Sequence, residues 1–290
     1  MTQWSPRRVI ATLALCLWAL APPLAASAQS GGTPRPAGQT SDQPDQDLQV
    51  VVGEPDYTLG ALPTTLRMPS GKFDFRMTHR FSLAINSGTT ADFFKNFFNF
   101  DSAAQIGFEV RYGLASGTQL AVHRTNERTI QLLGQRQVIR QGDSRAFSAD
   151  VLVAVEGREN LSERFATTVG AVVSRRFGTR GTFYVEPMVT LNANTKPNLP
   201  TDPRHTGIVG VGTRLRVGRR TYVVAEVAPR VSGFAPGFNH ASFGLEKRAG
   251  GHMFQLTVAN NVGTTLAQVA RGGTKKHAWY IGFNLTRRFF

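Results

Sequence analysis

The sequence-local pair suited to nucleophilic chemistry is His240-Ala241-Ser242. Two positions apart, a base and a hydroxyl share one face of a strand, and hydrolysis then needs them in contact, with a third group orienting the base. A larger set carries charge: Glu109, Arg111, Asp150, Glu186, Arg214, Arg216, Glu226, Arg230, Glu246 and Arg248 occupy the polar phase of segments that alternate with period two. Charges of both signs on neighbouring strands either pair into a structural network or line a passage that selects solutes by charge. Metal ligation is not indicated, because His79, His123, His205, His240, His252 and His277 are scattered with no pair at ligand spacing. No Gly-rich phosphate loop is present and no cofactor is implied. The only cysteine, Cys16, lies near the N-terminus, which excludes thiolate zinc sites and cysteine nucleophiles from the rest of the chain.

The elements that must position these residues are strands. Phe73, Phe75, Met77, His79, Phe81, Leu83 and Ile85 fall on one face, and Asp74, Arg76, Thr78, Arg80 and Ser82 on the other. A helix brings neighbours together at three and four, so strict alternation reads as a half-buried strand. The pattern repeats over 104–113, 117–125, 129–140, 145–156, 163–177, 182–194, 206–217, 221–232, 239–248, 252–262 and 277–290. The links between these segments alternate short and long, the rule for bacterial outer-membrane barrels. The expected fold is all-β: a transmembrane antiparallel up-and-down barrel over 71–290, with an even number of strands, about 12. Val151, Val153 and Val155, then Val223, Ala225 and Val227, and in the last strand Trp279, Ile281, Phe283 and Leu285, are assigned to lipid. Phe73, Phe147, Phe177, Phe183, Phe254 and Phe289 are expected as an aromatic girdle at one rim. Five phenylalanines, Phe93, Phe94, Phe97, Phe98 and Phe100, crowd the first long link. They suit a short helix lying on the membrane or folded into the mouth, or packing against the rim.

Ahead of the barrel, Arg7 and Arg8 precede an apolar run ending in Ala26-Ser27-Ala28, the order of a signal peptide over 1–28 with cleavage after Ala28. Residues 29–70 are expected as a disordered or extended periplasmic segment, of which 50–70 has enough apolar residues to cover the mouth or enter the lumen. The formal charge is +14, or +12 without Arg7 and Arg8. Lys and Arg are scattered singly, which assigns the excess to a basic lumen or anionic lipid rather than nucleic acid.

The ending Asn284-Leu285-Thr286-Arg287-Arg288-Phe289-Phe290 is similar to the signal by which outer-membrane barrels engage the barrel-assembly machinery, although its alternation is in phase with Phe289 and broken at Arg287. His240 and Ser242 resemble the His-x-Ser spacing of outer-membrane phospholipase barrels, with Phe243-Gly244 where that family has Asn-Gly. Thr78-His79-Arg80-Phe81, Phe100-Asp101, Ala104 to Gly113, Gly244 to Arg248 and Gly251-His252 are similar to an uncharacterised family of outer-membrane β-barrels, over about Pro55 to Phe290. That resemblance implies the Gram-negative outer membrane and this fold, and brings no catalytic residue. The expected function is therefore non-enzymatic: a passive channel for small, preferentially anionic solutes, or the membrane partner of a periplasmic protein. The alternatives are a lipid-modifying enzyme using His240 and Ser242, and a structural barrel with a plugged lumen.

Overall fold

The computed structural model describes residues 51–290 apart from Asn99, Asp143, Lys196, Thr274 and Lys276; the expected leader and the tail from Gln29 to Val50 lie outside the described residues. The strands are β1 (Phe73–Phe81), β2 (Ala104–Ala115), β3 (Thr118–Thr125), β4 (Ile130–Ile139), β5 (Ser148–Gly157), β6 (Glu163–Arg176) and β7 (Gly181–Leu191). β8 (Thr206–Arg216), β9 (Thr221–Ala228), β10 (Arg230–Gly233), β11 (His240–Ala249), β12 (His252–Ala259) and β13 (Tyr280–Arg288) follow. Three short segments sit in links: the helices α1 (Thr90–Lys95) and α3 (Leu266–Arg271), and the turn α2 (Arg158–Leu161), in which Glu159, Asn160 and Leu161 have left-handed backbones.

Consecutive strands pair antiparallel, and β1 pairs with β13, so the sheet closes on itself. β9 and β10 both pair with β8, through Val211↔Val227 and Arg230↔Ile208. They are one wall strand interrupted at Pro229, which lacks the N–H a ladder needs. Thirteen strands thus make a closed barrel of twelve plus one short extension. Closure leaves no sheet edge, the condition for strands to sit in lipid.

The side-chain phase follows the alternation. On β13, Tyr280, Gly282, Asn284 and Thr286 are buried while the intervening residues are partly exposed. Phe108, Val122, Val169, Val189, Val227 and Leu256 are exposed on the outward phase of their strands. Both ends of the barrel meet at what we term the terminal rim, where Phe73 stacks on Phe289 at 4.7 Å and Phe147, Phe177, Phe183 and Phe254 are exposed. Arg175 lies over Phe177 and Arg287 over Phe289 at 5.6 and 5.2 Å, a mix of ring and cation suited to a membrane interface. The opposite, far rim carries the long links 82–103, 192–205 and 260–279.

Val169 is mid-strand, outward and half exposed. Val169→Arg is expected to destabilise the barrel by about 2–4 kcal/mol, the cost of a cation near the bilayer midplane. Unfolding in lipid vesicles checks this.

Candidate functional site

The lumen is filled. Residues 53–69 lie inside the barrel as a hairpin, with Thr64 donating to the Tyr57 carbonyl and Leu59 to that of Leu62. The chain enters and leaves through the terminal rim: Gly53 meets Thr182 at the start of β7, and Met68 meets Gln119 at the start of β3. The plug falls within the 50–70 stretch expected to cover the mouth or enter the lumen, and it is an ordered hairpin rather than an extended or disordered segment. Its apolar residues are buried against the wall, and the wall supplies partners for its backbone.

Those partners come from every side. Glu226 on β9 grips the tip: its carboxylate accepts from the backbone N–H groups of Gly60, Ala61 and Leu62 at 3.0, 2.8 and 3.1 Å. Arg76 on β1 donates to the Gly60 carbonyl at 2.6 Å, joined by Arg80 and Asn284. A Cβ at Gly60 would crowd the Ser242 hydroxyl and come within 2.6 Å of the Glu226 carboxylate, so a side chain there would push the latch aside. On β8, Arg214 forks onto Glu246 at 2.7 and 2.9 Å and also donates to the carbonyls of Asp56 and Thr58. Gln255 donates to Leu59 and Gln135 to Thr64. In the plug, Glu54 accepts from Thr65 and from the Tyr184 hydroxyl; burial nevertheless pushes its carboxyl above the ordinary range.

A second element closes the far mouth. α3, in the long link between β12 and β13, turns inward, burying Leu266, Ala267, Val269 and Ala270. Thr265 and Gln268 form a capping box at its start. Glu156 on β5 holds it, accepting from Arg271 at 2.7 Å and from Thr265 at 2.5 Å. Leu59, Ala61 and Leu62 of the plug and Leu266, Val269 and Ala270 of α3 share one apolar cluster with Leu152, Tyr184, Met188 and Ile208 of the wall.

The charged residues singled out from sequence divide by position. Glu109 pairs with Arg111 at 2.9 Å and contacts His123; the Arg111 guanidinium lies over the Tyr57 ring. Arg214 pairs with Glu246, and Asp150 accepts from Gln135. Arg216, Arg230 and Arg248 are only partly buried: Arg216 ties down its own turn at Gly218 and Arg219, and Arg230 the link at Asn239 and the Arg271 carbonyl. Arg248 lines a recess of about 220 Å³ at the terminal rim with Asp56, Arg288 and Phe290. Arg76, Arg80, Glu54 and Glu156 were missing from that set, although the first two and Glu156 share the inward phase of their strands.

Glu186 is fully buried, and among the described residues neither of its oxygens has a hydrogen-bond partner. An unsatisfied buried polar group costs about 1–3 kcal/mol, and more when charged. Glu186→Leu is therefore expected to raise the thermal midpoint in detergent, reversing the usual sign of a core substitution.

His240 and Ser242 come together, but on a shared carboxylate. Glu226 Oε1 accepts from Ser242 Oγ at 2.8 Å and from His240 Nε2 at 2.9 Å. The other ring nitrogen, Nδ1, accepts from Asn261 at 2.8 Å, which puts the ring proton on Nε2. The hydroxyl is thus hydrogen-bonded to Glu226 rather than to a basic nitrogen, and both side chains are buried beneath the plug tip.

The NanC porin is similar at 8% identity with a TM-score of 0.52, over 75% of this chain and all of that one. Outer membrane phospholipase A from Escherichia coli is similar at 11% identity and TM-score 0.43, over 82% and 95% of the two chains. A mutant of Rh. blastica porin gives 14% identity and TM-score 0.33, over 64% and 55%. At these identities the porin likeness shows the fold alone. No curated protein sequence matches. A family model described as membrane bound beta barrel domain (DUF5777) matches residues 57–289, starting at the plug hairpin and ending in the last strand, so plug and wall are matched as one unit. The chain belongs to that family of membrane-bound beta-barrel domains.

Proposed function

We propose that this protein is a non-enzymatic outer-membrane barrel, shut at rest, that passes small, preferentially anionic solutes once its plug and α3 are displaced. The observation that carries this reading is the grip of Glu226 on three plug amides, a discrete latch on a separate chain segment rather than a solid core. Preference for anions follows from Arg76 and Arg80. Both are buried against the plug and give their hydrogen bonds to Gly60, Asn284 and wall carbonyls, with no carboxylate in ion-pair contact among the described residues. Withdrawal of the plug leaves them as fixed cations in the lumen, which concentrate anions and repel cations.

Displacement is the natural task of a periplasmic partner pulling on the segment before Val51, which makes the channel and partner readings one mechanism. The expected leader over 1–28 and the terminal strand ending at Phe289-Phe290, offered to the barrel-assembly machinery, support this location. The lipid-enzyme alternative predicts phospholipid cleavage abolished by Ser242→Ala. Planar-bilayer recording tests the proposal. The wild type is expected to be silent and the double variant Glu156→Ala/Glu226→Ala to conduct, with a reversal potential favouring anions. A folded double variant that stays silent would leave a purely structural barrel.

A further inference from the structure

The β1–β2 link carries a cluster of four exposed phenylalanines, and the plug does not involve it. Phe94 and Phe97 are 60% and 59% exposed, with Phe98 and Phe100 also exposed. Their rings touch one another edge to face, with Phe94 and Phe97 each 5.5 Å from Phe98. α1 has no buried residue at all. A helix of six residues is unstable in water on its own, and a capping box of Thr89 and Asp92 is a weak support. Phe97 and Phe98 also hold left-handed backbones, at φ 46° and 59°, which bulky residues adopt only where the surroundings enforce it. A contiguous apolar patch, strained and unpartnered, marks a contact surface.

What it contacts follows from continuity. The Phe100 ring packs on Phe81 at 4.7 Å, Phe81 on His79 at 4.4 Å, and His79 stacks on Phe283 at 4.8 Å. Those three lie on the outward phase of β1 and β13, so one aromatic row runs without a break from mid-wall to the link. The polar groups suit an interface. Asp92 accepts from the Thr89 backbone N–H and hydroxyl, which hold its carboxyl below the ordinary range, and Lys95 closes the helix.

We propose that residues 90–100 form a lip that lies in the membrane interface, its phenylalanines seated among lipid acyl chains as an extension of the barrel wall. The lip widens the hydrophobic belt on one side of the barrel and anchors the far rim at a fixed depth.

Fluorescence quenching tests this in the chain from Gln29, refolded into dioleoylphosphatidylcholine vesicles. Trp279→Phe removes the last tryptophan after the leader, and Phe97→Trp places a reporter in the patch. Lipid brominated on the acyl chain is expected to quench the reporter at least twofold, with little quenching by acrylamide. Phe94→Trp, made in parallel, should behave alike and serves if Phe97→Trp does not refold. Strong acrylamide quenching without bromolipid quenching would overturn the proposal in favour of a water-facing surface. Protection from both quenchers would overturn it in favour of cover by protein, such as a second copy of the chain.

Discussion

Glu226→Ala is expected to unseat the plug while leaving the barrel wall closed. The substitution strips the charged acceptor from the amides of Gly60, Ala61 and Leu62 and orphans the hydrogens of His240 and Ser242. Breaking one side of such a buried charged network costs about 3–5 kcal/mol. The wall ladders, which do not pass through this side chain, remain. Amide hydrogen exchange resolves the two: the three tip amides should lose protection by orders of magnitude while those of β1 and β13 keep theirs. Glu226→Gln, retaining one carbonyl oxygen, should fall between wild type and Ala. Unchanged protection at the tip in Glu226→Ala would show that the carboxylate does not hold the plug.

Arg214→Ser is the second large effect, again about 3–5 kcal/mol. It leaves Glu246, which is fully buried, with Gln255 as its remaining partner, and it releases the carbonyls of Asp56 and Thr58. The Arg216 side chain, two residues on and on the same face, bonds among the described residues only to its own turn, so Arg216→Ser should cost less than about 1 kcal/mol. Because Arg214 and Glu226 hold the same hairpin, their losses should be less than additive: once one latch has freed the plug, the other has little left to lose. Thermal unfolding of the single and double variants in detergent measures this coupling, and strict additivity would mean that the two side chains act on independent structures.

The barrel was legible because its physics is local and periodic. Phe73 to Phe81 alternates strictly, closure demands an even strand count, and link length marks the rims, all of which can be counted along the chain. The wall strand broken at Pro229 reads as continuous from 221 to 232 because period two survives the interruption. The inward phase of Glu109, Asp150, Arg214, Glu226 and Glu246 was likewise fixed by parity.

Their partners were not, since pairing across a lumen depends on which strands face one another at which height. Arg214 meets Glu246, thirty-two positions on. The plug was obscured for a different reason: Tyr57, Leu59, Leu62 and Leu66 sit among Gly and Pro with no period, and their order comes from wall side chains rather than from any propensity of their own. α3 carried a signal in Thr265 and Gln268 at capping-box spacing, but six residues are too few for a helical period to stand out. For His240 and Ser242 the spacing was right for a shared strand face, yet only the fold shows that Glu226, on the neighbouring strand, takes both hydrogens.

The most direct test of the plug as gate is a reversible lock. Thr65 and Ser174 face each other with hydroxyl oxygens 2.5 Å apart, close enough for a cysteine pair to bridge plug to wall in a chain whose only cysteine is Cys16. Bilayer current should be recorded for Glu156→Ala/Glu226→Ala carrying Thr65→Cys and Ser174→Cys, before and after reduction by dithiothreitol. The account predicts silence while the disulfide holds and anion-preferring current once it is reduced, against a silent wild type throughout. A steady wild-type current, or a variant current that is the same in both redox states, would contradict it.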